Sequence, residues 1–222
     1  MFIGHYAVAL ATKRALPRAP LGLLVAAAQL IDLIWPLLLL AGVEHVRITP
    51  GATRVTPLDF TDYPVTHSLL GCAVWAAILA AAVGWWRRDG RLASVSAALV
   101  LSHWLLDFAT HRPDLPLLPG SPLRVGLGLW SSLPGTLALE GSMFAAGSAL
   151  YLRGTLPRDR VGRWAIPSLI AFLAAIYLAN LFGPPPPSAA AVAWSALLLW
   201  PIVAWAGWGD RHRVATAPGQ AT

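Results

Sequence analysis

The chain holds one cysteine, Cys72, and little charge: only 12% of its 222 residues are Asp, Glu, Lys or Arg. A lone cysteine excludes an intrachain disulfide framework and a cysteine-based zinc site. A soluble domain carries about a quarter charged residues. The deficit here, with 57% hydrophobic residues and a mean hydropathy of +0.62, excludes an ordinary soluble fold. The net charge of +6 comes from basic residues scattered through short loops, with no basic stripe or aromatic platform, so no nucleic-acid partner is expected. Lys13 and Arg14 follow the apolar residues of the N-terminal segment, which is not the order of a secretory leader, and none is expected.

What the chain has is long apolar runs. A spanning helix needs about 20 mostly apolar residues. Six stretches approach this: 22–43, 67–86, 92–110, 133–152, 164–182 and 189–208. The composition predicts an all-α polytopic membrane helix bundle of about six transmembrane helices. Residues 1–222 then form a single integral membrane domain, with a motif-bearing half at 1–112 and auxiliary helices at 133–208. Pro36 predicts a local kink in the first run. Trp85-Trp86-Arg87-Arg88 reads as an interfacial aromatic pair with a basic stop, and Gly183-Pro-Pro-Pro-Pro-Ser188 as a stiff turn. If the N-terminus is cytoplasmic, twelve of the 16 basic residues fall inside, leaving only Arg47, Arg54, Arg112 and Arg124 outside. The positive-inside rule therefore predicts that both termini are cytoplasmic.

Ionisable residues inside such runs carry the functional signal, because lipid makes them expensive. His103 and Asp107 are four apart and share one helix face; His111 extends that stripe by another turn. Asp32 interrupts the first run about 15 Å deep, and His67 opens the second. Three helices thus bring ligand-type side chains to the outer half of the bilayer. Imidazole and carboxylate suit a divalent metal, zinc or manganese, which would offset the cost of burying the two acids. The competing reading of His103 and Asp107 is a simple hydrogen-bonded pair. The apolar segment 1–12 is predicted to dip into the bilayer as a re-entrant helix from Lys13–Arg14 at the surface. That brings His5 about 12 Å in, near Asp32. The loops 44–66 and 111–132 are candidates to lid the site.

His5, Gln29-Leu-Ile-Asp32-Leu-Ile-Trp-Pro36, Tyr63-Pro-Val-Thr-His67-Ser-Leu-Leu70 and Ser102-His103-Trp-Leu-Leu-Asp107-Phe-Ala-Thr-His111 occur in that order. Together they resemble the bacterial family of membrane-bound metal-dependent hydrolases, also described as inner-membrane-associated hydrolases. The resemblance covers about the first half of the chain. It implies a multi-pass protein of the bacterial inner membrane with His5, Asp32, His67, His103 and Asp107 as metal ligands. Where the family often has Pro-Asp-x-Asp, this chain has a single acid, Asp32, which removes one carboxylate from any two-metal arrangement.

Three functions follow from these residues. The first is an intramembrane metal hydrolase, with His111 or Glu140 as general base, acting on a lipid-linked or amphiphilic ester or phosphoester reached from the outer leaflet. Glu140 has a competing reading as a helix–helix hydrogen bond. The second is a proton- or metal-coupled transporter using the same cluster. The third is a structural protein that uses the ion to lock helices. His45 and His212 read as solvated histidines.

Overall fold

The computed structural model describes residues 1–216; the expected single domain, 1–222, therefore includes six residues outside the described ones. The chain is mainly helical: α1 (Ile3–Ala15), α2 (Leu21–Ala28), α3 (Leu30–Leu40), α4 (Leu69–Arg87), α5 (Gly90–Thr110), α6 (Leu133–Arg153), α7 (Arg160–Phe182), α8 (Ala189–Ala196) and α9 (Leu199–Arg211). Three two-stranded antiparallel ribbons join them: β1 (His45–Ile48) with β2 (Leu58–Asp62), β3 (Leu115–Pro116) with β4 (Arg124–Val125), and β5 (Thr155–Pro157) with β6 (Arg213–Ala215). The all-α expectation is thus corrected in the connections. Two of the ribbons are hairpins within one connection, and the third pairs the α6–α7 connection with the segment after α9, so that backbone groups there are satisfied.

Short polar residues write most helix starts into the sequence. Ser68, Asp89, Ser132, Asp159 and Ser188 each accept the backbone N–H three residues on, from Gly71, Leu92, Gly135, Gly162 and Ala191. Four helical units are long and apolar enough to cross a membrane: α4, α5, α7 and the α8–α9 pair. The bent pair α2–α3 makes a fifth. Residues 133–152, expected as a sixth span, form α6 but are not among them. Glycine, serine and Glu140 dilute α6's hydropathy, and its small residues serve packing instead. α1 lies along α6 so closely that a Cβ added at Gly147 would stand 2.9 Å from Ala7 Cα.

The first apolar run is not one kinked helix. It bends by 56° between α2 and α3 at Gln29, while α3 continues through Pro36. Near the C-terminal end of α1, Lys13 is not left at the surface. It is buried and donates to Asp210 Oδ2 (2.6 Å) and Ala19 O (2.7 Å). Asp210 also receives Leu21 N–H (3.0 Å) and Tyr151 Oη–H (2.9 Å). This network ties α1, α2, α6 and α9 together. Trp85 and Trp86 are 88% and 83% exposed, as an interfacial pair would be.

Candidate metal centre

Four chain segments meet near the C-terminal end of α5. The break at Gln29 puts Asp32 in the first turn of α3, where a carboxylate is favoured by the helix dipole. It also frees Ala28 O, which accepts His103 Nδ1–H (2.8 Å). α5 supplies His103 and Asp107 one turn apart, both buried. His67 sits just before α4, and α1 brings in His5. All five residues expected as ligands from the sequence are therefore neighbours.

Asp32 Oδ1, His67 Nε2, His103 Nε2 and Asp107 Oδ2 face one another. Oδ1 of Asp32 is 3.5 Å from His67 Nε2 and 3.6 Å from His103 Nε2, while Oδ2 of Asp107 is 3.9 and 3.2 Å from the same two nitrogens. Ligands about 2.1 Å from a tetrahedral ion stand roughly 3.4 Å apart, so these separations fit a divalent cation. His103 Nε2 is buried and makes no hydrogen bond, although both carboxylates are close. From its position between the two carboxylates this nitrogen could ligate an ion that both acids share. The donor set, two imidazoles and two carboxylates, suits zinc or manganese.

His5 meets the cluster on its other side. Its ring stacks on His103 at 3.7 Å between centroids, and its Nε2 is 3.2 Å from Asp107 Oδ1. The Met1 amine donates to the same oxygen (2.5 Å). Two groups have the spacing of an ion site: His5, His103, Asp107 and Asp32, His67, His103. These groups, found among the described residues, share His103, whose Nδ1 is committed to Ala28, so its remaining nitrogen could ligate only one ion.

The imidazoles are held from behind, a feature the sequence reading missed. Thr66 Oγ1 lies 2.7 Å from His67 Nδ1 and donates to Glu44 Oε2 (2.6 Å); Glu44 Oε1 accepts Val65 N–H and Thr66 N–H, each at 2.8 Å. With its own proton given to Glu44, the Thr66 hydroxyl accepts from His67 Nδ1–H. That leaves Nε2 as the lone pair facing Asp32. Such outer partners fix tautomer and ring orientation in metal sites. Thr66 stands beside a motif histidine, but Glu44 lies 22 residues upstream and only the hairpin β1–β2 brings it back.

His111 does not continue the stripe of His103 and Asp107. α5 ends at Thr110, and His111 takes an extended conformation (φ −62°, ψ 146°) just before Arg112-Pro113, whose proline disfavours further helix. Its Nδ1 bonds Asp114 Oδ1 (3.0 Å), and Tyr63 Oη donates to the same oxygen (3.1 Å). Its ring packs on Trp130 and Phe60. Burial pushes the His111 imidazole below its ordinary value near 6.5. Burial, with Asp114 adding to it, pushes the Tyr63 phenol well above its own. Glu140 is buried and accepts Phe2 N–H at Oε2 (2.8 Å), so it caps α1 across the helix pair. His45 is exposed, 4.0 Å from Asp62, and His212 bonds Asp159 (2.7 Å); neither approaches the cluster.

The cluster opens on a cavity of about 630 Å³ lined by Asp32, His67, Asp107, His111 and Glu140. Asp32 is its accessible member, with 24% of its side chain exposed against 4% or less for His67, His103 and Asp107. Residues 50–51 and 53–58 of the β1–β2 hairpin also line the cavity, as do Trp130 and the α7–α8 turn. The first long connection thus covers the site. A scan of protein-family models finds no match to this chain, and searches of curated proteins and of solved structures likewise find none.

Proposed function

We propose that the protein is a membrane-embedded metal-dependent hydrolase, of the family its motifs resemble, that acts on an amphiphilic ester or phosphoester entering from the outer leaflet. The observation that carries the reading is the Asp32, His67 and His103 triad, with Asp107 Oδ2 within 3.9 Å of both imidazole nitrogens, opening on a cavity through Asp32. Asp32, His67, His103 and Asp107 would hold the ion through one atom each. His5 would hold the far oxygen of Asp107. A divalent cation supplies Lewis-acid polarisation there and acidifies water.

The chain's own residues do the rest. Asp114 Oδ1 accepts a hydrogen bond from His111 Nδ1–H, which would leave the Nε2 of this cavity-lining histidine as a neutral proton acceptor. Glu140 seats the start of α1 beside Asp107. Trp35, Phe60 and Trp130 on the cavity wall exclude water from the reacting group. No residue of the connections 16–20, 88–89, 154–159 or 212–216 lines the cavity, so it reaches none of the loops expected inside.

The test is metal content of the detergent-purified protein by elemental mass spectrometry, beside Asp107→Ala. About one equivalent of zinc or manganese, lost in the variant, is expected. Absence of bound metal after loading and desalting would refute the reading.

A further inference from the structure

Beyond the His/Asp cluster the cavity changes character. Its wall runs along Ile176 and Tyr177 of α7, through the Gly183–Pro186 turn, to Val192 of α8 and Leu199 and Ile202 of α9. Pro184, Pro185 and Pro186 make that turn stiff. A metal centre working on a small soluble ester has no use for such a trough. It is sized and lined for a hydrocarbon chain.

One cation lies on this wall. Arg54, in the turn of the β1–β2 hairpin, is the sole Lys or Arg among the cavity-lining residues. Its turn is fixed: Arg54 N–H donates to Trp130 O (3.1 Å), and Thr53 Oγ1 accepts Val55 N–H (3.1 Å) and Thr56 N–H (2.9 Å). Its guanidinium is exposed and forms no hydrogen bond or ion pair among the described residues. Arg112, by contrast, is paired with both Asp59 and Asp114. An exposed, unpaired guanidinium lining the same cavity as Asp32, His67 and Asp107 can hold an oxyanion there.

We infer that the substrate class is a phosphate ester on a hydrocarbon chain, a phosphorylated lipid. Its phosphoryl group lies between the His/Asp centre and Arg54, and its chain lies in the trough beside α7, α8 and α9. This rests on reading the cavity as the substrate site of the proposed hydrolase. A neutral ester leaves Arg54 unanswered, and free phosphate leaves the trough empty.

The test measures binding calorimetrically to the full chain in neutral detergent, both metal-free and metal-loaded. The probes are dihexanoyl phosphatidic acid, dihexanoylglycerol and inorganic phosphate. Phosphatidic acid should bind at least about tenfold more tightly than either of the others. Arg54→Gln should remove most of that preference and Arg54→Lys only part of it, since lysine keeps the charge but not the fork. Arg47→Gln, an exposed arginine of the same hairpin that does not line the cavity, should change nothing. Equal affinity for dihexanoylglycerol, or an Arg54→Gln variant that binds like the parent, overturns the inference. So does inorganic phosphate binding as tightly as the lipid. Arg54-dependent binding by a protein that takes up no metal would sink the hydrolase reading while leaving this lipid site standing.

Discussion

Thr66→Val tests the outer support of the candidate centre without touching a ligand. Valine matches threonine in shape but has no hydroxyl, so it removes both the 2.7 Å contact to His67 Nδ1 and the 2.6 Å bond to Glu44. Glu44 keeps the Val65 and Thr66 N–H groups, so the hairpin anchor survives. What is lost is a charge-assisted hydrogen bond, about 1.5–3 kcal/mol, and with it the preference for the tautomer that bares Nε2. Loss of such a partner typically costs 10–100-fold in metal affinity, about 1.4–2.8 kcal/mol, so two independent routes give the same size. Competition between the purified protein and a fluorescent zinc chelator should show this weakening for Thr66→Val and little change for Thr66→Ser. In metal-free protein, 15N spectra of labelled histidine should show His67 protonated at Nδ1, and mixed tautomers in the valine variant. Unchanged zinc affinity in Thr66→Val, or His67 protonated at Nε2 in the parent, would refute the reasoning.

Other consequences can be measured directly. His103→Ala should abolish zinc retention after desalting, because its Nε2 lies within 3.6 Å of both carboxylates. Gly147→Val should force α1 off α6 and lower stability by about 1–3 kcal/mol, read as a drop in melting temperature in detergent. Lys13→Met leaves Asp210 buried without its cation and should cost about 3 kcal/mol, with Lys13→Met/Asp210→Leu milder than the single change; a double variant less stable than the single would contradict this. His111, lowered by burial, binds its proton more weakly folded than unfolded. Stability should therefore be full above about pH 6.5 and fall as pH drops below it, and His111→Gln should flatten that limb of a melting-temperature profile.

The helices and the ligand candidates could be read from residues alone, because their signals are local. Apolar runs, the capping Ser and Asp residues and the Trp85-Trp86-Arg87 stop all act within one element, and the four-residue step from His103 to Asp107 defines one face without any tertiary knowledge. Ligand-type side chains in apolar surroundings marked Asp32 and His67 for the same reason. What local pattern could not supply was where chain segments far apart in sequence meet. The break at Gln29 has no proline to announce it; it frees Ala28 O for His103, 75 residues away. Glu44 becomes the anchor of Thr66 only once a hairpin folds back over 22 residues. Lys13 looks like a surface cation until Asp210, from the other end of the chain, buries it. His111 shares a helical spacing with Asp107, but the following Arg-Pro ends the helix and hands the ring to Asp114. Sequence fixes which groups are costly to bury; tertiary structure decides which partner offsets that cost, because each partner is brought near only when distant elements pack.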